Sequence, residues 1–142
     1  MKGTFSEKDV ERIAHGLIER SLPRAEWTHA AHFAAALWLL RRCGASASVE
    51  MPPLIRAFNE AHGVENSDTS GYHETITLAS LRAGTAWLAK RPNAPLHTTL
   101  NELLDSPYGR SDWLLAHYSR ELLFSATARR EWVEPDLQPL PF

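Results

Sequence analysis

The sequence predicts an all-α, single-domain bundle of about five to six helices, with an extended Pro-rich tail over residues 135–142. Three observations carry that expectation. Apolar residues recur at three- and four-residue spacing in successive stretches, which marks one-sided helices. Pro23, Gly44, Gly63, Pro92 and Pro95 punctuate the chain between those stretches. No stretch alternates apolar and polar residues between hairpin turns, so strands are not expected. The length of 142 residues suits one domain and one core.

The elements follow in order. Ser6 and Asp9 form a capping-box pattern, and Val10, Ile13, Ala14, Leu17 and Ile18 continue it as a helix over residues 7–20. Gly16 weakens that helix by about 1 kcal/mol against Ala unless packing offsets it. A second helix starts between Pro23 and Thr28 and ends at Gly44. Residues 30–40 are apolar nearly all round, so this helix belongs at the centre. A third runs over residues 49–62, with Pro52 and Pro53 tolerable only in its first turn. A polar loop, 64–71, precedes a fourth helix over 72–90, which Pro92 and Pro95 stop. Its inward stripe is Ile76, Ala79, Ala83, Ala86 and Trp87. A short fifth helix covers 98–105, and a sixth begins after Ser111, with breaks expected at Ser119 or Ser125.

Composition excludes several classes. The net charge is −2, and Arg41-Arg42, Lys90-Arg91 and Arg129-Arg130 are scattered pairs, not the basic face that nucleic acid requires. The longest apolar run, residues 30–40, is far short of the ~20 residues of a membrane span. Residues 1–7 lack the apolar centre of a signal peptide, so a cytoplasmic protein is expected. Cys43 stands alone, which rules out an intrachain disulfide, and it reads as an inert buried thiol.

Chemistry is suggested most clearly by histidines. His29 and His32 lie three apart near the start of the central helix, where their side chains project within about 60° of each other. His73 lies at the expected start of the fourth helix. Three imidazoles from two helices could hold a divalent metal, Zn²⁺ with an open position or non-haem Fe with a carboxylate. Metal-bound water would then be the nucleophile, and Glu74 or Glu26 the general base. Thr75 or Thr77 could accept from an imidazole N–H. Arg56 and Asn59 could orient an anionic ligand, and Trp27 and Trp87 could line a pocket. His15 and His117 lack a convincing carboxylate partner, His62 reads as a helix C-cap, and His97 as an exposed loop residue. The competing reading makes each imidazole a satisfied polar group with no chemistry.

Thr28-His29-x-x-His32, Arg56-x-Phe58-Asn59-x-Ala61-His62-Gly63-Val64-x-Asn66 and Gly71-Tyr72-His73-Glu74-Thr75-x-Thr77 together resemble a family of small bacterial all-α proteins. Leu123-Phe124-Ser125, Ala128-Arg129 and Trp132-x-x-Pro135-Asp136-Leu137 fit the same resemblance, which covers residues 27–140. The family has no settled activity, so the resemblance implies no catalytic role. It implies that Thr28, Asn66 and Thr77 share one pocket with the histidines. A looser, fold-level similarity is to DinB-like bundles, which carry three His on a metal but at a different spacing.

The sequence therefore leads to a metal-dependent hydrolase of a small molecule. Its metal ligands would be His29, His32 and His73. Glu74 and His73 would be catalytic, with Thr28, Arg56, Asn59, Asn66, Tyr72 and Thr77 around the substrate. Two metal-free alternatives stand beside it. In one, His73 and Glu74 form an acid–base pair; in the other, the same pocket belongs to a binding or sensing module. The tail could also join copies into a homo-oligomer.

Overall fold

A computed structural model describes residues 4–142, and every regular element among them is helical. Seven α-helices follow one another: α1 (Glu7–Ile18), α2 (His29–Cys43), α3 (Ala47–Ala61), α4 (Glu74–Lys90), α5 (Leu96–Asp105), α6 (Arg120–Leu123) and α7 (Ala126–Arg130). Short 3₁₀ turns intervene at Arg24–Glu26, Gly44–Ser46, Pro107–Gly109 and Trp113–Ala116. The all-α bundle expected from the sequence is the fold observed.

Central α2 packs against α1, α3, α4 and α5. Every residue from Phe33 to Leu39 is buried, as its apolar circumference requires. Its five alanines in this stretch and before it keep the helix thin enough for four neighbours to approach. None of the helices among the described residues is long and apolar enough to cross a membrane.

At the first helix both halves of the Ser6/Asp9 capping box form. Gly16 has a different reason from helix strength. The chain turns back after α1 so that Ser21 and Leu22 both donate to the Gly16 carbonyl, at 2.9 and 3.1 Å. A Cβ on Gly16 would meet the Leu22 Cβ at 2.7 Å. Gly16→Ala is therefore expected to destabilise by about 1 kcal/mol, since the crowding outweighs the helix propensity gained. An unchanged or raised urea midpoint would contradict this.

One expectation needs correction. Pro52 and Pro53 lie in the sixth and seventh positions of α3, not its first turn. The helix starts earlier than the apolar spacing suggested, running on from the Gly44–Ser46 turn. The carbonyls left without a proline N–H belong to Ser48 and Val49, both exposed, so water can satisfy them. The C-terminal helical stretch breaks at Ser119 and Ser125, as expected. Ser119 and Ser125 each cap a new short helix, their hydroxyls accepting from the Leu122 and Ala128 amides at 3.1 Å.

The C-terminal segment is extended and bound to the bundle. The Thr75 hydroxyl donates to the Glu131 carbonyl at 2.8 Å and accepts from the Val133 amide at 3.2 Å. Tyr118, fully buried, donates its hydroxyl to the Val133 carbonyl at 2.7 Å. Phe142 packs against Tyr108 and Trp113, with ring centroids 5.8 and 6.1 Å away. This segment therefore closes over the ends of α4 and the last short helices.

Candidate functional site

The start of α2, the middle of α3, the loop before α4 and the first turns of α4 enclose a cleft of about 490 Å³. That is the size of a small-molecule site. Arg24, Trp27, His32, Asn59, Tyr72, His73 and Thr77 contribute its polar or aromatic wall, and Ile55, Val64, Gly71 and Ile76 the rest.

The loop between α3 and α4 is shaped by Asn66. Its Oδ1 accepts from Asn59 Nδ2 and from the Tyr72 amide, both at 3.0 Å, and its Nδ2 donates to the Arg56 carbonyl at 3.1 Å. Gly71 passes so close that a Cβ would lie 2.5 Å from the Glu65 carbonyl and 2.6 Å from Asn66 Oδ1, at a φ of +78° that already favours glycine. Arg129 Nη1 holds the Gly71 carbonyl from the other side at 3.1 Å. Tyr72 is thereby fixed at the cleft wall. The Arg56 guanidinium covers its ring at 4.4 Å, and its hydroxyl donates to Glu74 Oε1 and meets the Thr77 side chain. Burial and the Glu74 carboxylate push the phenol well above its ordinary value.

The three predicted metal ligands diverge. His29 Nε2 donates to the Tyr108 carbonyl at 2.9 Å, outside the cleft. His73 is the N-cap of α4: its Nδ1 accepts from the Ile76 amide at 3.2 Å. A ring nitrogen that accepts carries no proton, so Nε2–H is the donor to the Leu123 carbonyl at 2.7 Å. Both nitrogens of His73 are spent on backbone, and burial lowers its pKa below the ordinary imidazole value. Among the described residues, no group of three or more His, Cys, Asp or Glu side chains is positioned to hold a metal ion. The donor set expected for Zn²⁺ or Fe is therefore not assembled in this arrangement.

His32 differs from the other two. It lines the cleft, and its ring nitrogens have no hydrogen-bond partner among the described residues. Burial lowers its pKa to about 4, with a smaller push from the nearby His29. It therefore faces the cleft as a neutral imidazole. Trp27 flanks it, with ring centroids 5.5 Å apart, and leans on Phe58 at the same distance.

Five predicted site residues thus meet at one cleft: His32, Asn59, Tyr72, His73 and Thr77. Of the other residues expected there, only Trp27 lines it. Thr28 is the N-cap of α2, its hydroxyl accepting from the Ala31 amide. Arg56 and Asn66 build the wall from behind. Glu74 lines a separate cleft with Leu40, Leu78 and Arg82. Glu26 is paired with Arg12 at 2.7 Å on the surface. Thr75 bonds the C-terminal segment, not an imidazole. Trp87 lies against Lys90 and Tyr108, whereas Trp27 does line the cleft. His62 caps α3 as expected. His15 does have a carboxylate partner, Glu11 at 3.2 Å, and His97 sits on α5 beside Glu7 at 3.0 Å. Sequence reasoning missed Arg24. Its importance comes from the absence of any partner for its side chain, which no spacing rule reports. Compared with known proteins, the chain matches no family model, no curated protein and no solved structure.

Proposed function

We propose that this protein is a metal-free small-molecule binding or sensing module whose ligand occupies the cleft around His32. One observation carries the reading: a neutral, half-buried imidazole whose ring nitrogens make no hydrogen bond within the described residues lines a cavity of ligand size. An imidazole with both nitrogens uncommitted at the wall of a cleft is free to bond whatever enters it. A ligand group that donates to or accepts from His32 would supply it. Tyr72 and Thr77 are already oriented by their neighbours, so they add a fixed polar edge. The metal-dependent hydrolysis suggested by residue spacing would require both His29 and His73 to leave their carbonyl partners. The metal-free reading needs no such rearrangement. The motif resemblance belongs to the same proposal, with Thr77 at the ligand and Thr28 and Asn66 in support.

Thermal-shift screening of small organic compounds against untagged protein tests this. At least one compound is expected to raise the Tm by a saturable amount, with no metal required. His32→Ala should weaken that compound about tenfold, the effect of losing one hydrogen bond in a closed site. Stoichiometric zinc or iron uptake that is lost in His29→Ala and His73→Ala would overturn the reading.

A further inference from the structure

We propose that the cleft selects a small monocarboxylate with an apolar body, held at the mouth by Arg24; this rests on reading the cleft as a ligand site. The lining contains one arginine and no carboxylate. Arg24 is exposed, and its side chain has no ion pair or hydrogen bond among the described residues. Its acidic neighbour Glu26 is taken by Arg12. The two other guanidiniums nearby do not line the cleft: Arg56 lies over the Tyr72 ring, and Arg129 reaches the Gly71 carbonyl through Nη1 while its Nε is buried without a partner. One unpaired cation beside neutral groups matches one negative charge, because a second charge on the ligand would find no counterpart.

The remaining surface sets the rest of the molecule. The Trp27 indole N–H has no partner among the described residues, and Asn59 gives one of its two amide N–H groups to Asn66. Arg24, Trp27 and His32 can therefore all donate to a carboxylate, which has four lone-pair sites to fill. Ile55 is 4% exposed and lies at the floor, with Val64 and Ile76 as further apolar wall. An anionic head at Arg24 and an apolar body towards Ile55 match this gradient from charged mouth to apolar floor.

Titration calorimetry with matched pairs tests the ligand class: phenylacetate against phenylacetamide, and indole-3-acetate against indole-3-acetamide, with phenyl phosphate as the dianion. At least one acid should bind, with its amide weaker by tenfold or more. Arg24→Gln should erase that difference, Arg24→Lys should restore part of it, and salt should weaken the acid alone. Arg24 makes no structural contact, so its variants report binding and not folding. An amide as tight as its acid, or phenyl phosphate tighter than either acid, overturns the carboxylate class and leaves the ligand site standing. If no member of either pair binds or moves the His32 ring ¹⁵N resonances, both proposals fall.

Discussion

Replacing His73 with alanine is expected to cost about 2–4 kcal/mol of stability. Two losses add. The first is the N-cap of α4, since Nδ1 accepts from the Ile76 amide, and losing a cap costs about 1 kcal/mol. The second is the Nε2–H donor to Leu123, which leaves a buried carbonyl without its partner at about 1–3 kcal/mol. His73→Asn separates the two, because asparagine can cap but cannot reach Leu123; it should recover roughly the cap contribution of about 1 kcal/mol. Urea unfolding near neutral pH measures both, and faster hydrogen exchange at the Ile76 amide should accompany the alanine variant. A surface ligand awaiting a metal would give no such loss, so an unchanged midpoint in His73→Ala would remove the structural role assigned here.

His73 also shows how far the sequence could be read. The spacing of apolar residues correctly predicted a helix here but started it at residue 72, whereas α4 begins at Glu74. Two residues decide the chemistry. Inside a first turn, His73 would project a free ring; at the N-cap, the ring turns back on the Ile76 amide. Boundaries are the least determined part of any helix, and here a boundary sets a residue's role. His29 and His32 fail to converge for a related reason. An offset of roughly 60° on one helix face is enough to send one ring to the Tyr108 carbonyl and the other into the cleft. What was legible rested on local rules: the Ser6 capping box, the breaks at Ser119 and Ser125, and the buried circumference of α2. Tyr72 and Thr77 were legible because they flank one helix start, and Asn59 because it follows an apolar face near the end of α3. Arg24 and the buttressing by Asn66 depend on contacts across the chain, which no local pattern encodes.

Acidification from pH 6.5 to about 4 is expected to remove about 3 kcal/mol of stability through His32 alone. Its folded pKa is about 4 against 6.5 for the free side chain. Below pH 6.5 the unfolded chain therefore binds a proton that the folded chain refuses, and stability falls until the folded ring also titrates near pH 4. The shift converts at 1.36 kcal/mol per pH unit. His73, lowered by burial, adds to the loss in the same direction. The groups facing His32 explain why nothing offsets it: His29 repels a second charge, Arg24 shares the cleft, and no carboxylate lines it. Carboxylates cannot mimic the effect in the upper part of this window. Backbone hydrogen bonds from Ser6 and Ser119 hold Asp9 and Asp136 below their ordinary value of 3.8, so their loss comes at lower pH. Urea midpoints measured across the window should therefore fall steadily in the native protein and more shallowly in His32→Gln. An identical slope in the two would show that His32 is not held neutral by folding. A bound carboxylate supplies the missing counter-charge, so phenylacetate at saturation should raise the His32 pKa and flatten the fall, an effect that phenylacetamide should not reproduce.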